Sequence, residues 1–551
     1  MNNTTSRWTA DVAGMTCDAC ERQVSHAVRQ AGGTDVTASW RDGTVTFIAA
    51  DIDRAALDAA VGGAGYRVRA LRPRPGPPPA GGGGDAEWDL AIVGSGSAAF
   101  AAAIRATEAG ARVVMIERDT PGGTCVNVGC VPSKALLAAA ETYHRARSHT
   151  FAGIPSLDGV RPDLAQLVAQ KDELVAALRQ AKYLDLVENY GFELRRGTAR
   201  FVDAETLEVD GEPLRAGQYL VATGARPALP PIDGLTSVDH LTSTTALELT
   251  ELPARLAVVG ANAIGLEVGQ AFVHLGSAVT FFDIADRIAP FEEPEISAAL
   301  TDVLVGEGAR VVTGAQITRV SQAADGTVIL EGDLGEAGAS LQVDRILVAT
   351  GRAPNSGDLR LDAAGVEVDR RGFVVVDDHA RTTNPRVWAA GDVTATPQFV
   401  YVSAAEGALA ADNAIAGAGR RLDYTTLPRV TFTNPQMAAV GLTEAEARAA
   451  GHQVATSVLP LEHVPRAIVN RDTRGVIKLV ADAATDRLLG VHVAAEGAGE
   501  VIQAGVYALM AGLTTTKMAG AFHPYLTMAE GLKLAAQTFH RDVAKLSCCA
   551  A

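Results

Sequence analysis

Apolar residues fall along this chain in two rhythms. Between Trp8 and Arg69 short alternating stretches and amphipathic ones follow one another. Thr9 to Ala13 predicts a strand, Cys20 to Ala31 a helix, Thr44 to Ala49 a strand, Asp53 to Ala60 a helix and Tyr66 to Leu71 a last strand. From Trp88 onward the strands are unbroken apolar runs, as in Asp89 to Val93, Arg112 to Ile116, Arg255 to Val259, Ala278 to Phe282 and Val343 to Val348. Such runs suit strands covered on both faces, so this second region predicts parallel sheets of an α/β fold. Helical stretches separate them, among them a long one from Leu164 to Glu188. Between the two regions, Arg72 to Glu87 holds Pro73, Pro75, Pro77, Pro78 and Pro79 and then the run Gly81 to Gly84. That composition packs no core and predicts a linker, stiff at first and then flexible, so the first region is expected to be tethered rather than docked.

Length and composition change this picture little. The 551 residues suffice for about three or four domains, and 48% hydrophobic residues with 55 glycines fit a globular enzyme. No apolar run reaches about 18 residues and Met1 to Asp11 is polar, so a cytoplasmic protein without a membrane span is expected. The formal charge of −16 has no compensating basic block, which argues against nucleic acid or an anionic membrane as partner.

Two turns carry candidate phosphate chemistry. The strand ending at Val93 runs into Gly94-Ser95-Gly96-Ser97-Ala98-Ala99 and a helix to Ala109. Glycine permits the tight turn and the close backbone approach, Ala99 takes the third glycine's place, and a pyrophosphate can then rest on the helix N-terminus. Glu117, at the end of the next strand, is placed to bind a ribose hydroxyl. The second turn, Gly260 to Gly265, has Asn262 in place of the middle glycine, and Asp283 ends its following strand. An acid there favours a free 2′-hydroxyl and hence NADH, whereas NADPH is usually met by arginines; no arginine pair stands directly beside Asp283, and Arg287, four residues on, reaches a phosphate only if the loop folds back.

The six cysteines form three local pairs: Cys17 with Cys20, Cys125 with Cys130, and Cys548 with Cys549. Adjacent cysteines sit about 3.8 Å apart at Cα, too close for a relaxed disulfide, so the last pair reads as a free dithiol. Cys125 and Cys130 are about one and a half helical turns apart. They follow the first nucleotide turn, which suits a redox pair beside a cofactor, although spacing alone leaves buried structural cysteines or a metal half-site open. Cys17 and Cys20 offer two ligands where zinc wants four, which favours a soft ion held linearly, such as Cu(I) or Hg(II); a redox pair is the alternative.

The segment GGTCVNVGCVPSK, Gly122 to Lys134, resembles the active-site motif of the flavoprotein pyridine nucleotide-disulfide oxidoreductases, and the likeness spans Trp88 to the C-terminus. It implies two nucleotide-binding Rossmann-like domains and an α+β dimerisation domain, with FAD held by the first fold and NADPH or NADH by the second. The FAD residues would be Gly94, Gly96, Ala99, Glu117, Gly123, Thr124, Lys134, Gly224, Gly351 and Asp392. Those for the nicotinamide nucleotide would be Gly260, Gly265 and Asp283. Cys130 would be the thiol nearer the flavin, Cys125 the one that meets substrate, and Lys134 the partner of Glu267. Gly14 to Cys20 resembles the loop of the heavy-metal-associated domain, a ferredoxin-like βαββαβ metal carrier.

The resemblance also bears on substrate. Disulfide-reducing members carry His-Pro-Thr and then Glu near the C-terminus, with the histidine as general acid and base. Matching Thr527 and Glu530 to that pattern puts Tyr525 where the histidine would be, the pattern of members that reduce Hg(II). A metal ion accepting two electrons needs no proton delivered to a leaving thiol. Tyr525 and Tyr183 are therefore expected near the metal, and Cys548 and Cys549 are expected to pass Hg(II) from small thiols, or from Cys17 and Cys20, to the active site of a partner subunit in a homodimer. The expected domains are 1–71 for the carrier, 72–87 for the linker, 88–230 with 351–425 for FAD, 231–350 for NAD(P)H and 426–551 for dimerisation. A disulfide reductase of the family and a simple metal carrier are the rival readings.

Overall fold

The structure, a computed structural model, describes residues 6–16, 18–40, 43–49, 52–74, 86–157 and 159–542. Its first elements are strand Ser6–Ala13, helix Asp18–Gln30, strands Thr34–Ser39 and Thr44–Ala49, helix Arg54–Gly63 and strand Arg67–Arg74. The four strands pair antiparallel in the order second, third, first, fourth, which is the expected βαββαβ arrangement. Val12, Val24, Val28, Val45, Phe47, Leu57 and Val61 are buried between sheet and helices, and Asp53 caps the second helix by accepting from Ala55 N at 2.9 Å.

Two details depart from expectation. Thr34–Ser39 gave no clear strand signal because it is an edge strand of mostly small and polar residues, with Val36 buried. The last strand runs on to Arg74, into the expected linker, with Pro73 opposite Trp8. It too is an edge strand, where a proline's missing N–H costs least.

By internal contacts the chain divides into two units, Met1–Pro121 with Leu184–Gly224 and Ser356–Arg421, and Gly122–Tyr183 with Ala225–Asn355 and Leu422–Ala551. In the first, five parallel strands lie in the order Val387–Ala389, Ala216–Val221, Trp88–Val93, Val113–Glu117, Glu193–Arg196. Leu90 to Val93 are all buried, as their unbroken run requires. Helix Ser97–Glu108 packs closely on helix Val400–Ala416, because Gly407 brings its backbone to where a Cβ would overlap the Ala98 carbonyl.

The second unit holds another parallel sheet, ordered His240–Leu241, Arg345–Val348, Arg255–Val259, Ala278–Phe282, Arg310–Val312. The expected single strand from Val343 to Val348 is in fact two: Ser340–Val343 joins an antiparallel three-stranded sheet and Arg345–Val348 the parallel one. Asp344 makes the corner, held by Arg255 at 2.7 Å. Beyond Leu422 comes an antiparallel five-stranded sheet, Arg429–Thr431, Gln436–Gly441, Leu488–Ala495, Val476–Asp482, Val454–Pro460, with helix Ala498–Met510 against it. The redox segment, Gly122–Tyr183, belongs to this unit. Among the described residues no helix is long and apolar enough to cross a membrane.

Candidate active site

Glycines build the redox turn. Gly122 and Gly123 have φ of +105° and +66°, values that suit a residue without a side chain, and they launch helix Gly123–Asn127. The backbone breaks at Val128 and Gly129 and restarts as helix Cys130–Ser148. Gly129 lies so near Thr124 that a Cβ would stand 2.9 Å from its carbonyl oxygen. Cys125 and Cys130 therefore sit on two helices separated by a break, not on one continuous helix. Both are free thiols, Cys125 half-buried and Cys130 exposed.

Electrostatics splits the pair into unequal partners. The Cys125 thiol donates to Cys130, which lowers the Cys130 pKa to about 7, with the Lys134 ammonium assisting against burial and Glu267. The same bond, followed by burial, pushes Cys125 up. Cys130 is also the first residue of a 19-residue helix, whose N-terminal dipole favours a thiolate. One turn on, Lys134 Nζ donates to Glu267 Oε2 at 2.6 Å and stands 4.6 Å from the Phe432 ring centroid. The other Glu267 oxygen accepts from Phe432 N at 2.8 Å, so this buried carboxylate is held on both sides. Phe432 carried no recognisable signal in the sequence; only the fold brings it to the pair.

The two tyrosines differ in what the structure gives them. Tyr183 lies in a π-helical turn, Gln180–Leu184, and its Cδ2 is 3.5 Å from the Cβ position of Gly122, at the start of the redox segment. Tyr525 is exposed in the loop before helix Glu530–Gln537, shaped by a left-handed Leu526 (φ +60°) and by Thr527 Oγ1 donating to Pro524 O. Glu530 is buried, and its Oε2 has no hydrogen-bond partner among the described residues. Cys20 is partly buried, with its sulfur 3.8 Å from Thr16 Oγ1; Cys17, Cys548 and Cys549 lie outside the described residues.

Both nucleotide turns fit their expected ligands. Gly94 (φ +106°) approaches Ala222 so closely that a Cβ would overlap the carbonyl, and helix Ser97–Glu108 starts at Gly96 with no side-chain cap, leaving its first N–H groups for an anion. Ala99 is fully buried, and Glu117 accepts from Ser95 Oγ at 2.5 Å and from Asp119 N at 2.7 Å. In the same unit Asp392 follows Gly391 (φ +78°), whose N–H donates to the buried Glu406 at 2.7 Å, while Ser403 Oγ donates to Asp392 at 3.4 Å. Glu406 and Ser403 were missed because nothing local marks them; the helix from Val400 carries both to the motif. Gly224 also has positive φ (+67°).

In the second unit, Gly260 (φ +100°) approaches Ala349, with Thr350 N 3.1 Å from its Cβ position, and Gly351 follows at φ +127°. Gly265 is pressed onto the Gly260 carbonyl, and Asn262 starts helix Ala263–Leu275 without capping it. Asp283 accepts from Ala261 N at 2.7 Å and from Ala285 N at 2.9 Å. Arg287 does not fold back toward it: its guanidinium donates to the carbonyls of Pro290 (2.7 Å) and Glu292 (3.2 Å).

Comparison with known proteins agrees with this geometry. Residues 88–407 match the family model described as pyridine nucleotide-disulphide oxidoreductase, and residues 427–536 match that family's dimerisation domain. The chain belongs to the pyridine nucleotide-disulphide oxidoreductase family. Membership brings FAD and NAD(P)H as cofactors. Within the family, the chain is 47% identical to the mercuric reductase of Lysinibacillus sphaericus, over 99% of this chain and 100% of that one. It is 53% identical to the mercuric reductase of Streptomyces lividans, over 84% and 98%. Among solved structures, the Cu(II) complex of the HOCl-induced flavoprotein disulfide reductase RclA from Escherichia coli aligns with a TM-score of 0.74 and 30% identity, covering 82% of this chain and 100% of that one.

Proposed function

We infer that this chain is an FAD-dependent oxidoreductase that reduces Hg(II) to Hg(0) with NAD(P)H. The observation that carries the reading is the Cys125 and Cys130 pair, in contact, with Cys130 poised to ionise near neutral pH beside the Lys134–Glu267 pair. FAD, when bound, supplies the passage of two electrons from the nicotinamide nucleotide. The chain's own part is ligand exchange and placement. Hg(II) arrives on two thiolates; Cys125 and Cys130 displace them and hold the ion as a bis-thiolate, and two electrons then release Hg(0) and restore both cysteine thiolates. Lys134 steadies the thiolate charge, Glu267 orients Lys134, and Tyr183 and Tyr525 line the approach. Tyr525 in place of a histidine supports a metal substrate over a disulfide, since no leaving thiol has to be protonated in the reducing step.

The wider assembly follows the same logic. Helix Ala498–Met510 exposes Tyr507 and Met510, and the loop before helix Glu530–Gln537 exposes Phe522 and Tyr525, an apolar set that suits a second copy of the chain, with each active site sharing residues from both subunits. The βαββαβ unit with Cys17 and Cys20 captures Hg(II) for delivery, and Cys548 and Cys549 pass it inward from small thiols. The division at 1–71, 72–87, 88–230 with 351–425, 231–350 and 426–551 is proposed on this basis, with the first boundary moved to Arg74. NADH is proposed as a usable donor, because Asp283 faces the second turn and Arg287 is engaged elsewhere. Turnover of HgCl2, lipoamide and glutathione disulfide, each in excess thiol, tests the reading: mercury should be turned over at least tenfold faster, and a preference for either disulfide would make the protein a disulfide reductase.

A further inference from the structure

Helix Val400–Ala416 buries Val402, Leu409, Ala410 and Ile415, as a packed helix should, but among its buried residues are also Ser403 and a carboxylate, Glu406. Taking a carboxylate out of water is costly unless it is hydrogen-bonded, and an apolar side chain would fill the same space without that cost. Glu406 has a specific donor: its Oε2 accepts from Gly391 N at 2.7 Å. Ser403, one turn earlier and a neighbour on the helix surface, donates from Oγ to Asp392 Oδ1 at 3.4 Å. One stretch of helix therefore holds two successive residues of the motif that the family likeness gives to FAD.

The same stretch reaches the other half of the FAD region. Gly407 sets its backbone against the Ala98 carbonyl, and the Cβ position of Gly391 lies 3.3 Å from the Ala98 side chain and 3.1 Å from Ser403 Oγ. Ala98 is the second residue of helix Ser97–Glu108, whose first turn has no side-chain cap and is open to an anion. The phosphate turn and the Gly391-Asp392 motif, nearly three hundred residues apart, are thus keyed together by Ser403, Glu406 and Gly407. Thr394 holds the Gly391 carbonyl from within its own turn, through N and Oγ1 at 2.9 Å each, whereas the Gly391 N–H is met from across the fold by Glu406. Gly391 is buried, so removing that carboxylate leaves a buried donor without its acceptor.

We propose that Glu406 and Ser403 are positioning residues for FAD, fixing the direction in which Asp392 presents its carboxylate. Gly391, at φ +78°, has no side chain of its own to lock its rotation. Glu406 fixes its N–H and so the course of the chain into Asp392, and Ser403 then holds the Asp392 carboxylate itself. The consequence rests on the reading of Asp392 as a residue that meets FAD; the joint does not.

The test is retention of FAD by the full-length holoenzyme, read as flavin fluorescence released on serial dilution. Glu406→Met fills the same space but offers no comparable acceptor, and it should weaken FAD binding about tenfold, the scale of one buried donor left unmet. Glu406→Gln should stay within about threefold of wild type, because an amide oxygen still accepts the Gly391 hydrogen. In an Asp392→Ala background Glu406→Met should cost less than about threefold, since the carboxylate that the joint aims is gone. If Glu406→Met does not fold, Ser403→Ala, which removes a single hydroxyl, carries the same prediction at about threefold. Unchanged FAD affinity in Glu406→Met, equal losses for methionine and glutamine, or the same loss with and without Asp392 overturns the proposal. Asp392→Ala alone should itself weaken FAD binding. If it does not, the reading of Asp392 falls and the proposal with it; if it does and Glu406→Met has no effect, the proposal falls alone. These results are independent of whether mercury or a disulfide is the substrate.

Discussion

The two nucleotide turns solve one problem with different residues. At the first, Gly96 begins the helix and Ala99 fills the third position; at the second, Asn262 begins it and Gly265 is pressed onto the Gly260 carbonyl. Their acids differ as well, Glu117 taking a hydroxyl hydrogen from Ser95 and Asp283 an amide hydrogen from the turn itself. The first turn thus tolerates a methyl group where the second has no room, and the second keeps its acid tied to the backbone of the turn. A fingerprint's glycines are needed only where the backbone approach is close, which is why a loosened motif still folds correctly.

The largest effect should come from exchanging that tolerance. Gly265→Ala places a Cβ onto the Gly260 carbonyl and should cost about 3 kcal/mol or more, abolishing NAD(P)H binding while FAD stays bound. Ala99→Gly only removes a buried methyl and adds backbone freedom, about 1 kcal/mol. Calorimetry and flavin content of the two variants check this, and equal losses would break the comparison.

A comparable effect should appear in acid, in the second unit. Burial first, and then the neighbouring His274, hold the His144 pKa at about 4, below its ordinary 6.5; Glu307 pulls the other way, and Arg474 and Arg147 add to the depression. The unfolded chain therefore binds a proton between pH 6.5 and 4 that the folded one refuses, so stability falls as pH drops through that window and levels below it. The loss attributable to this group is about 3 kcal/mol. His144→Phe should flatten that limb of a stability-against-pH curve measured by denaturant unfolding, and an unchanged limb would show that His144 is protonated at little cost.

The smallest and most specific effect concerns the acids. Asp283→Arg should move the ratio of kcat/KM for NADPH over NADH upward by about 1 to 3 kcal/mol, the scale of one charged hydrogen bond gained or lost. A wild type that strongly prefers NADPH, with no change on substitution, would mean that Asp283 faces only the turn.

These contrasts also mark how far the sequence could be read. Strands such as Leu90 to Val93 and the turns at Gly94 and Gly260 were legible because burial on both faces and positive φ each leave a local mark. The redox residues Cys125, Cys130, Lys134 and Glu267 were legible through a motif, yet the break at Gly129 was not, since spacing counts residues and not the direction of the chain. Thr34–Ser39 was hidden by its place at a sheet edge. Phe432, Glu406 and Ser403 were invisible for one reason: each acts through a contact more than ten residues away, which only the folded chain supplies.

The central claim is that Hg(II) is reduced at Cys125 and Cys130, and release of Hg(0) vapour measures it most directly. With NADH or NADPH and HgCl2 in excess thiol, the full-length protein should evolve Hg(0), and Cys125→Ser and Cys130→Ser should each lose at least a hundredfold while still oxidising the nicotinamide nucleotide through FAD. Vapour release that survives loss of both cysteines, or none from the intact protein alongside rapid reduction of a disulfide, would contradict the account.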